Sequence, residues 1–366
     1  MPLSFATIIR DLPSSVPFVG PEALERRSGV AIAARLGANE SVFGPSPKAV
    51  AAMREAAAAS WQYGDPENHD LKYAIAAKLG VASENVAVGE GIDALLGIAV
   101  RLFVEPGTPV ATSLGAYPTF NFHVAGAGGR LVTTPYVEDR EDPESLLALA
   151  AREKAKMIYF ANPDNPMGSW WSAADVSRMM ARMPGETLLV LDEAYGEFAP
   201  EGTLPAIDVT RENVLRFRTF SKAYGLAGLR VGYAIGHRDV ISAFDRIRNH
   251  FGITRVGQAG ALAAFHDDAW IVEVKGKVAR ARESIGEIGK ANGLKPLPSA
   301  TNFVCLDCGR DGAFSRSIVE ELLKENIFIR MPGVAPLNRC IRVSAGTDSD
   351  LDLLAEKLAL VLKRLA

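Results

Sequence analysis

Short apolar runs alternate with helical spacers through the middle of the chain. Met157-Ile-Tyr-Phe-Ala161 and Thr187-Leu-Leu-Val-Leu-Asp192 are almost continuously apolar. Such runs, with no alternation of polar residues, predict strands covered on both faces. Further strands are predicted at 85–89, 108–112, 130–135, 214–219 and 231–235, with helices at 48–60, 92–103, 118–125 and 144–152 among the spacers. Strands separated by helices predict a mainly parallel sheet between two helix layers. Beyond Val240 the pattern changes. A long helical region runs from Val256 through Arg282 with breaks near His266 and Asp267. Strands follow near 301–307, 327–330 and 340–344, then a last helix at 351–365. The expectation is an α/β chain: a three-layer α/β/α large domain at 41–250 and a smaller α+β C-terminal domain at 251–366. Residues 1–40, with Pro2, Pro13, Pro17 and Pro21 and little periodicity, are expected to form an arm against the small domain or another subunit.

Ligands of open α/β sheets settle at the carboxyl ends of strands, and the chemically expressive residues fall at such ends. Thr219-Phe-Ser-Lys-Ala-Tyr-Gly-Leu-Ala-Gly-Leu-Arg230 places Lys222 among small and apolar residues. Burial lowers a lysine pKa, and the neutral amine then attacks carbonyls. Thr219, Ser221 and Arg230 together can hold a phosphate dianion. An amine beside a phosphate site points to a phosphorylated aldehyde cofactor.

Gly89-Glu-Gly-Ile-Asp-Ala94 joins a strand to a helix, so the amides of Gly91 and Ile92 can also face a phosphate. The same string matches GxGxxA, which makes a nicotinamide-dependent dehydrogenase the alternative. That reading requires an acidic residue about 20 positions on, at the end of the next strand. Thr112-Ser-Leu-Gly-Ala-Tyr117 stands there instead, and Tyr117 suits stacking on a heteroaromatic ring. Asn162-Pro-Asp-Asn-Pro-Met-Gly168 is a pinned turn after a buried strand. Asp192-Glu-Ala-Tyr195 ends the most apolar strand, where a carboxylate needs a cationic or proton-sharing partner. A pyridinium nitrogen meets that need.

Other functions are disfavoured. With 40 basic and 43 acidic side chains and a net charge of −3, a polyanionic partner such as nucleic acid is not expected. The five histidines show no metal-binding spacing, and Cys305-Leu-Asp-Cys308 lacks a second ligand pair. No metal site is expected. Three cysteines, no signal-peptide pattern and no long apolar run point to a cytoplasmic protein away from membranes.

The chain resembles the fold-type I pyridoxal-phosphate aminotransferases of class I/II, and among them the histidinol-phosphate aminotransferase group. Thr219 to Gly228 is similar to the cofactor-lysine signature. Asn162 to Gly168, Asp192 to Tyr195 and Ile341-Arg-Val-Ser-Ala-Gly-Thr347 are similar to further motifs in the same order. Asn39-Glu and Gly44-Pro-Ser-Pro47 resemble the N-terminal motif of that group. The resemblance implies an aspartate-aminotransferase-like fold and pyridoxal 5'-phosphate as cofactor. It implies a homodimer with shared active sites, in which Tyr63 reaches the neighbouring subunit's phosphate site. Lys222 would bond to the cofactor aldehyde and move the substrate Cα proton, while Asp192 holds the ring nitrogen protonated. Asn165 and Tyr195 would meet the ring oxygen, and Tyr117 would stack. Thr219, Ser221, Arg230, Gly91 and Ile92 would hold the cofactor phosphate.

Arg342 would clamp the substrate carboxylate, with Arg330 and Asn39 as further substrate contacts. The implied reaction moves an amino group from a histidinol phosphate-like or aromatic donor to 2-oxoglutarate. Decarboxylation or C–S lysis is the alternative on the same scaffold. Asn249-His-Phe-Gly-Ile-Thr-Arg255 departs from the Pro-Tyr pattern of the group, so Arg330, Arg255 and Phe251 leave open whether the distal pocket takes phosphate, carboxylate or an aromatic ring.

Overall fold

The computed structural model describes residues 3–10, 12 and 19–365; Pro2, Pro13 and Pro17 of the expected arm lie outside them. The strands, in chain order, are β1 Ala34–Arg35, β2 Val86–Gly89, β3 Pro109–Ser113, β4 Arg130–Thr134, β5 Met157–Ala161 and β6 Leu188–Asp192. They continue with β7 Val214–Thr219, β8 Gly232–Ile235, β9 Lys295–Pro296, β10 Phe303–Asp307, β11 Ile327–Phe328 and β12 Cys340–Ser344. The large sheet has the order β2-β8-β7-β6-β5-β3-β4. It is parallel except for β8, which runs antiparallel to both β2 and β7.

The apolar runs of β5 and β6 are buried at every position, and their alternate residues face opposite layers. Tyr159, Val190 and Phe217 pack with Leu95, Leu96 and Val100 of helix Gly91–Phe103 and with Phe120 of helix Pro118–Gly126. Ile158, Phe160, Leu189 and Leu191 pack with Leu146 and Ala150 of helix Pro143–Glu153 and Val176 of helix Ala173–Ala181. The result is the predicted α/β/α sandwich.

A three-stranded antiparallel sheet, β12-β10-β9, forms the smaller body. Helices Asp268–Ala291, Gly312–Lys324 and Asp348–Leu365 contribute to its core through Val274, Ile318 and Leu354. Leu36 belongs to the same core, and β1 pairs in parallel with β11. The segment just before Asn39 is thus stitched to the smaller body by backbone hydrogen bonds. Helix Arg255–Phe265 instead shares a core with Val86, Val231 and Tyr233 of the large sheet. Among the described residues five helices escaped the sequence reading: Thr7–Arg10, Pro21–Ser28, Ala173–Ala181, Arg238–Phe244 and Gly312–Lys324. Among the described residues no helix is long and apolar enough to cross a membrane.

The ends of β6 and β7 are tied by charge. Glu193, fully buried, receives Arg216 Nη2 at 2.6 Å and Arg218 Nε at 2.9 Å. Burial alone would raise the Glu193 carboxyl, but Arg218 and Arg216 outweigh it and hold it below its ordinary range. This triad fixes Asp192 and Thr219, each adjacent to a member, in register. Glu193→Ala would leave two enclosed guanidinium groups uncompensated. It is expected to lower unfolding stability by about 3–5 kcal/mol, read by chemical denaturation. A loss below about 1 kcal/mol would mean the triad does not hold these strand ends.

Candidate active site

A cavity of about 440 Å³ opens where the carboxyl ends of β5, β6 and β7 meet the smaller body, and Lys222, Asp192 and Arg342 all line it. Lys222 follows β7 in a tight loop that passes over the turn at Gly44. Gly225 has φ +68°, and a Cβ there would lie 2.4 Å from the Gly44 carbonyl oxygen. Only glycine meets both demands. Lys222 Nζ donates to the Asn39 carbonyl at 3.0 Å. Burial, and after it the charge of Arg342, bring the Lys222 ammonium down to about 8. A useful fraction of the amine is then neutral near pH 7.

Asp192 ends β6 and is 6% exposed. Burial pushes its carboxyl up, against the pull of two donors. Tyr159 Oη donates to Oδ2 at 2.6 Å and Ala194 N–H to Oδ1 at 2.9 Å. Tyr159 is a site residue that sequence reading missed, because within an all-apolar strand its hydroxyl carries no pattern signal. Tyr195, buried against Phe303 with its ring edge-on at 5.5 Å, accepts from Asn39 Nδ2 at 3.0 Å. Burial raises the Tyr195 phenol above its ordinary range, so it stays protonated. Tyr117 lines the cavity and its phenol is likewise pushed up to about 12 by burial.

Asn165 projects from the turn after β5, whose Asn162–Pro163 peptide is cis. Asp164 pins that turn, accepting from Tyr136 Oη at 2.8 Å and Met167 N–H at 3.0 Å. Cys305 Sγ, in β10, donates to the Pro166 carbonyl at 3.1 Å. Asn165 Oδ1 in turn accepts from Arg342 Nη1 at 2.6 Å. Arg342 Nε is buried with no hydrogen-bond partner, so this guanidinium retains a donor for an incoming acceptor. Arg330 lies directly across the strand pair from Arg342, joined by backbone hydrogen bonds of 3.2 and 2.6 Å. Its Nη2 donates to the Val19 carbonyl at 2.8 Å. Arg35, Glu22 and Glu40 also line the cavity and form a linked ion group; of these only Glu40, beside Asn39, falls in a motif legible from sequence.

At the other end, Ser221 N–H donates to Thr219 Oγ1 at 3.1 Å, and Thr219 Oγ1 donates to Ser221 Oγ at 3.0 Å. Arg230 Nη1 approaches Ser221 Oγ at 3.4 Å. Gly91 begins helix Gly91–Phe103 at φ +79°, and a Cβ on it would lie 2.6 Å from Arg230 Nη2. The helix start, two hydroxyls and a guanidinium thus converge on a space a side chain would fill. Such a cradle fits a phosphate. With Lys222 and a buried Asp192 beyond it, the donor set fits a phosphorylated pyridine aldehyde.

Every predicted site residue lines this cavity except Gly91, which touches it through Arg230, and Tyr63. Tyr63 is 78% exposed, its ring 4.8 Å from that of Phe251. Arg255 Nη2 donates to the Tyr63 carbonyl at 2.8 Å. Within one chain neither Phe251 nor Arg255 lines the cavity.

The chain resembles proteins of known family along nearly its whole length. It is 37% identical over 344 residues to the histidinol-phosphate aminotransferase of Anaeromyxobacter sp. (strain Fw109-5), covering 92% of this chain and 93% of that one. It is 32% identical over 336 residues to that of Moorella thermoacetica, covering 91% and 86%. The crystal structure of histidinol-phosphate aminotransferase from Sinorhizobium meliloti in complex with pyridoxal-5'-phosphate superposes with a TM-score of 0.97. That pair shares 57% identity over 99% of this chain and 98% of that one. A Thermus thermophilus aspartate aminotransferase variant, 23% identical, shares the fold at a TM-score of 0.82 over 98% of this chain and 100% of that one. The sequence pattern of aminotransferase class I and II matches residues 32–358, and on these grounds the chain belongs to the class I and II aminotransferase family.

Proposed function

We propose that the chain is a pyridoxal 5'-phosphate-dependent transaminase passing an amino group from a histidinol phosphate-like or aromatic donor to 2-oxoglutarate. The observation that carries this reading is the convergence of Lys222, Asp192 and two adjacent arginines on one cavity. When bound, the cofactor supplies an aldehyde for amines and a cationic ring that draws electrons from the substrate Cα.

The chain's own groups do the rest. Asp192 keeps a proton on the ring nitrogen, and the opposite charge that nitrogen brings offsets the cost of burying the carboxylate. Thr219, Ser221, Arg230 and the helix start at Gly91 and Ile92 hold the phosphate. Tyr117 stacks on the ring, while Tyr195 and Asn165 orient its oxygen. Lys222 Nζ would take the proton from the substrate Cα and deliver it to the former aldehyde carbon of the cofactor, on the far side of the transferred nitrogen. Arg342 binds a carboxylate through its guanidinium fork, steadied by Asn165.

Arg330 supports the choice of substrates. A transaminase of this kind must accept two substrates in turn at one site. Arg330 and Arg342, paired across an isolated antiparallel bridge, match the two carboxylates of 2-oxoglutarate. Arg330 equally suits the phosphate of a histidinol phosphate-like donor. Tyr63 and Phe251, an exposed aromatic pair, support a homodimer in which Tyr63 reaches the partner's phosphate site. Three free, buried cysteines support a reducing, cytoplasmic setting.

Four outcomes are expected. In cofactor-free protein, covalent uptake of pyridoxal phosphate should rise about tenfold per pH unit and level off above about 8. Lys222→Ala should form no borohydride-stable adduct, whereas an adduct in that variant would overturn the lysine assignment. In a panel of donors including histidinol phosphate, phenylalanine and tyrosine, turnover should require 2-oxoglutarate. Arg330→Ala should raise KM for the acceptor roughly tenfold to hundredfold. Amino acid consumption with no acceptor present would instead support decarboxylation or C–S lysis.

A further inference from the structure

Asn39 meets the site through its backbone and its side chain at once. Its carbonyl accepts from Lys222 Nζ at 3.0 Å and from Asn302 Nδ2 at 3.1 Å. Its Nδ2 donates to Tyr195 Oη at 3.0 Å. Ser344, at the end of β12, grips it twice: Asn39 N–H donates to Ser344 Oγ, and Ser344 Oγ donates to Asn39 Oδ1, each at 3.0 Å. Asn39, Asn302 and Ser344 are all at most 3% exposed, so solvent offers these groups little alternative. The backbone of Asn39 is left-handed, with φ +54°, a conformation an asparagine tolerates but one that needs holding in place.

The directions of these bonds follow from the inventory of protons. Ser344 has one hydroxyl proton and already accepts from the Asn39 backbone. Its proton goes to Asn39 Oδ1, which fixes the carbonyl end of that amide and turns the NH₂ end toward Tyr195. An amide nitrogen only donates, so Tyr195 Oη accepts there and keeps its own proton for another partner. The neighbouring space is the cavity that Tyr195 and Lys222 both line. We propose that Ser344 is a positioning residue which, by locking Asn39, commits Tyr195 to donate into the cavity and fixes the carbonyl that holds the released Lys222 amine. The polarity runs from Ser344 through Asn39 to Tyr195, and a chain of such bonds strengthens each member. This rests on the reading that Tyr195 and Lys222 face the cofactor.

The test is a pH titration of the visible absorbance of the loaded enzyme. A donor at the cofactor's ring oxygen weakens that oxygen's hold on the neighbouring proton. Loss of the donor should therefore raise the pH midpoint of the spectral change. Ser344→Ala is expected to raise it by roughly half to one unit. Asn39→Asp, which offers Tyr195 an acceptor in place of a donor, should raise it further. Ser344→Cys keeps the shape with a weaker donor and should fall between wild type and Ser344→Ala, so it reports the effect even if the alanine variant fails to fold. Midpoints unmoved in the folded variants, with only a lower melting temperature, would reduce Ser344 to structural packing and overturn the proposal. A Lys222→Ala protein that kept the wild-type spectral transition would overturn the lysine reading beneath it, and the proposal with it.

Discussion

A carboxylate enclosed at the end of an all-apolar strand cannot be left without compensation, and Asp192 stands in that position. Water is excluded by the strands beside it, and two hydrogen bonds, from Tyr159 and Ala194, only partly offset the burial that pushes its carboxyl up. A neutral leucine in its place would stabilise the strand end more. Retaining an acid there makes sense when a cation arrives opposite it. The surrounding framework holds that position firm. Glu193 and its two arginines fasten β6 to β7, which sets the distance between the acid of one strand and the Thr219–Lys222 loop of the next.

The smaller body completes the site from the other side. β12 carries Arg342 and Ser344 on alternate positions, so one strand brings both an anion-binding fork and the grip on Asn39. The Asn39 segment, paired with β11 through β1, travels with that body rather than with the sheet that holds Lys222. A hydrogen bond from Lys222 to the Asn39 carbonyl therefore spans the two bodies. So does the bond from Arg342 to Asn165. Any change in how the bodies approach each other is felt at once by the lysine and by the arginine fork.

The sheet was legible because full burial of β5 and β6 demands continuous apolar runs, which few other arrangements use. The antiparallel β8 was not, since reversing a strand changes its neighbours and leaves its own hydrophobicity alone. Helix Ala173–Ala181 carried a readable signal in its capping box, Ser172 with Asp175, but its apolar stripe spans barely two turns. Helix Gly312–Lys324 likewise begins at an Asp311 cap and buries only Ser315, Ile318 and Leu322. The strand-end residues that line the cavity stood out in the sequence because loops there combine glycine, asparagine and charge. Tyr159, Asn302 and Ser344 were not, because their roles depend on partners distant in sequence. Asn39 was read as a substrate contact, and its four bonding groups are engaged within the protein. Tyr63 and Phe251 are exposed and do not line the cavity of their own chain, which a single chain's sequence does not reveal.

Asp192 is proposed to supply the electrostatic pull that makes the substrate Cα acidic. The direct measurement is exchange of the substrate Cα hydrogen with deuterated water, followed by NMR, in wild type and in Asp192→Asn loaded with equal amounts of pyridoxal phosphate. Neutralising a carboxylate that faces a ring cation should slow exchange by about two to three orders of magnitude. Exchange within tenfold of wild type at equal cofactor content would rule out that role for Asp192.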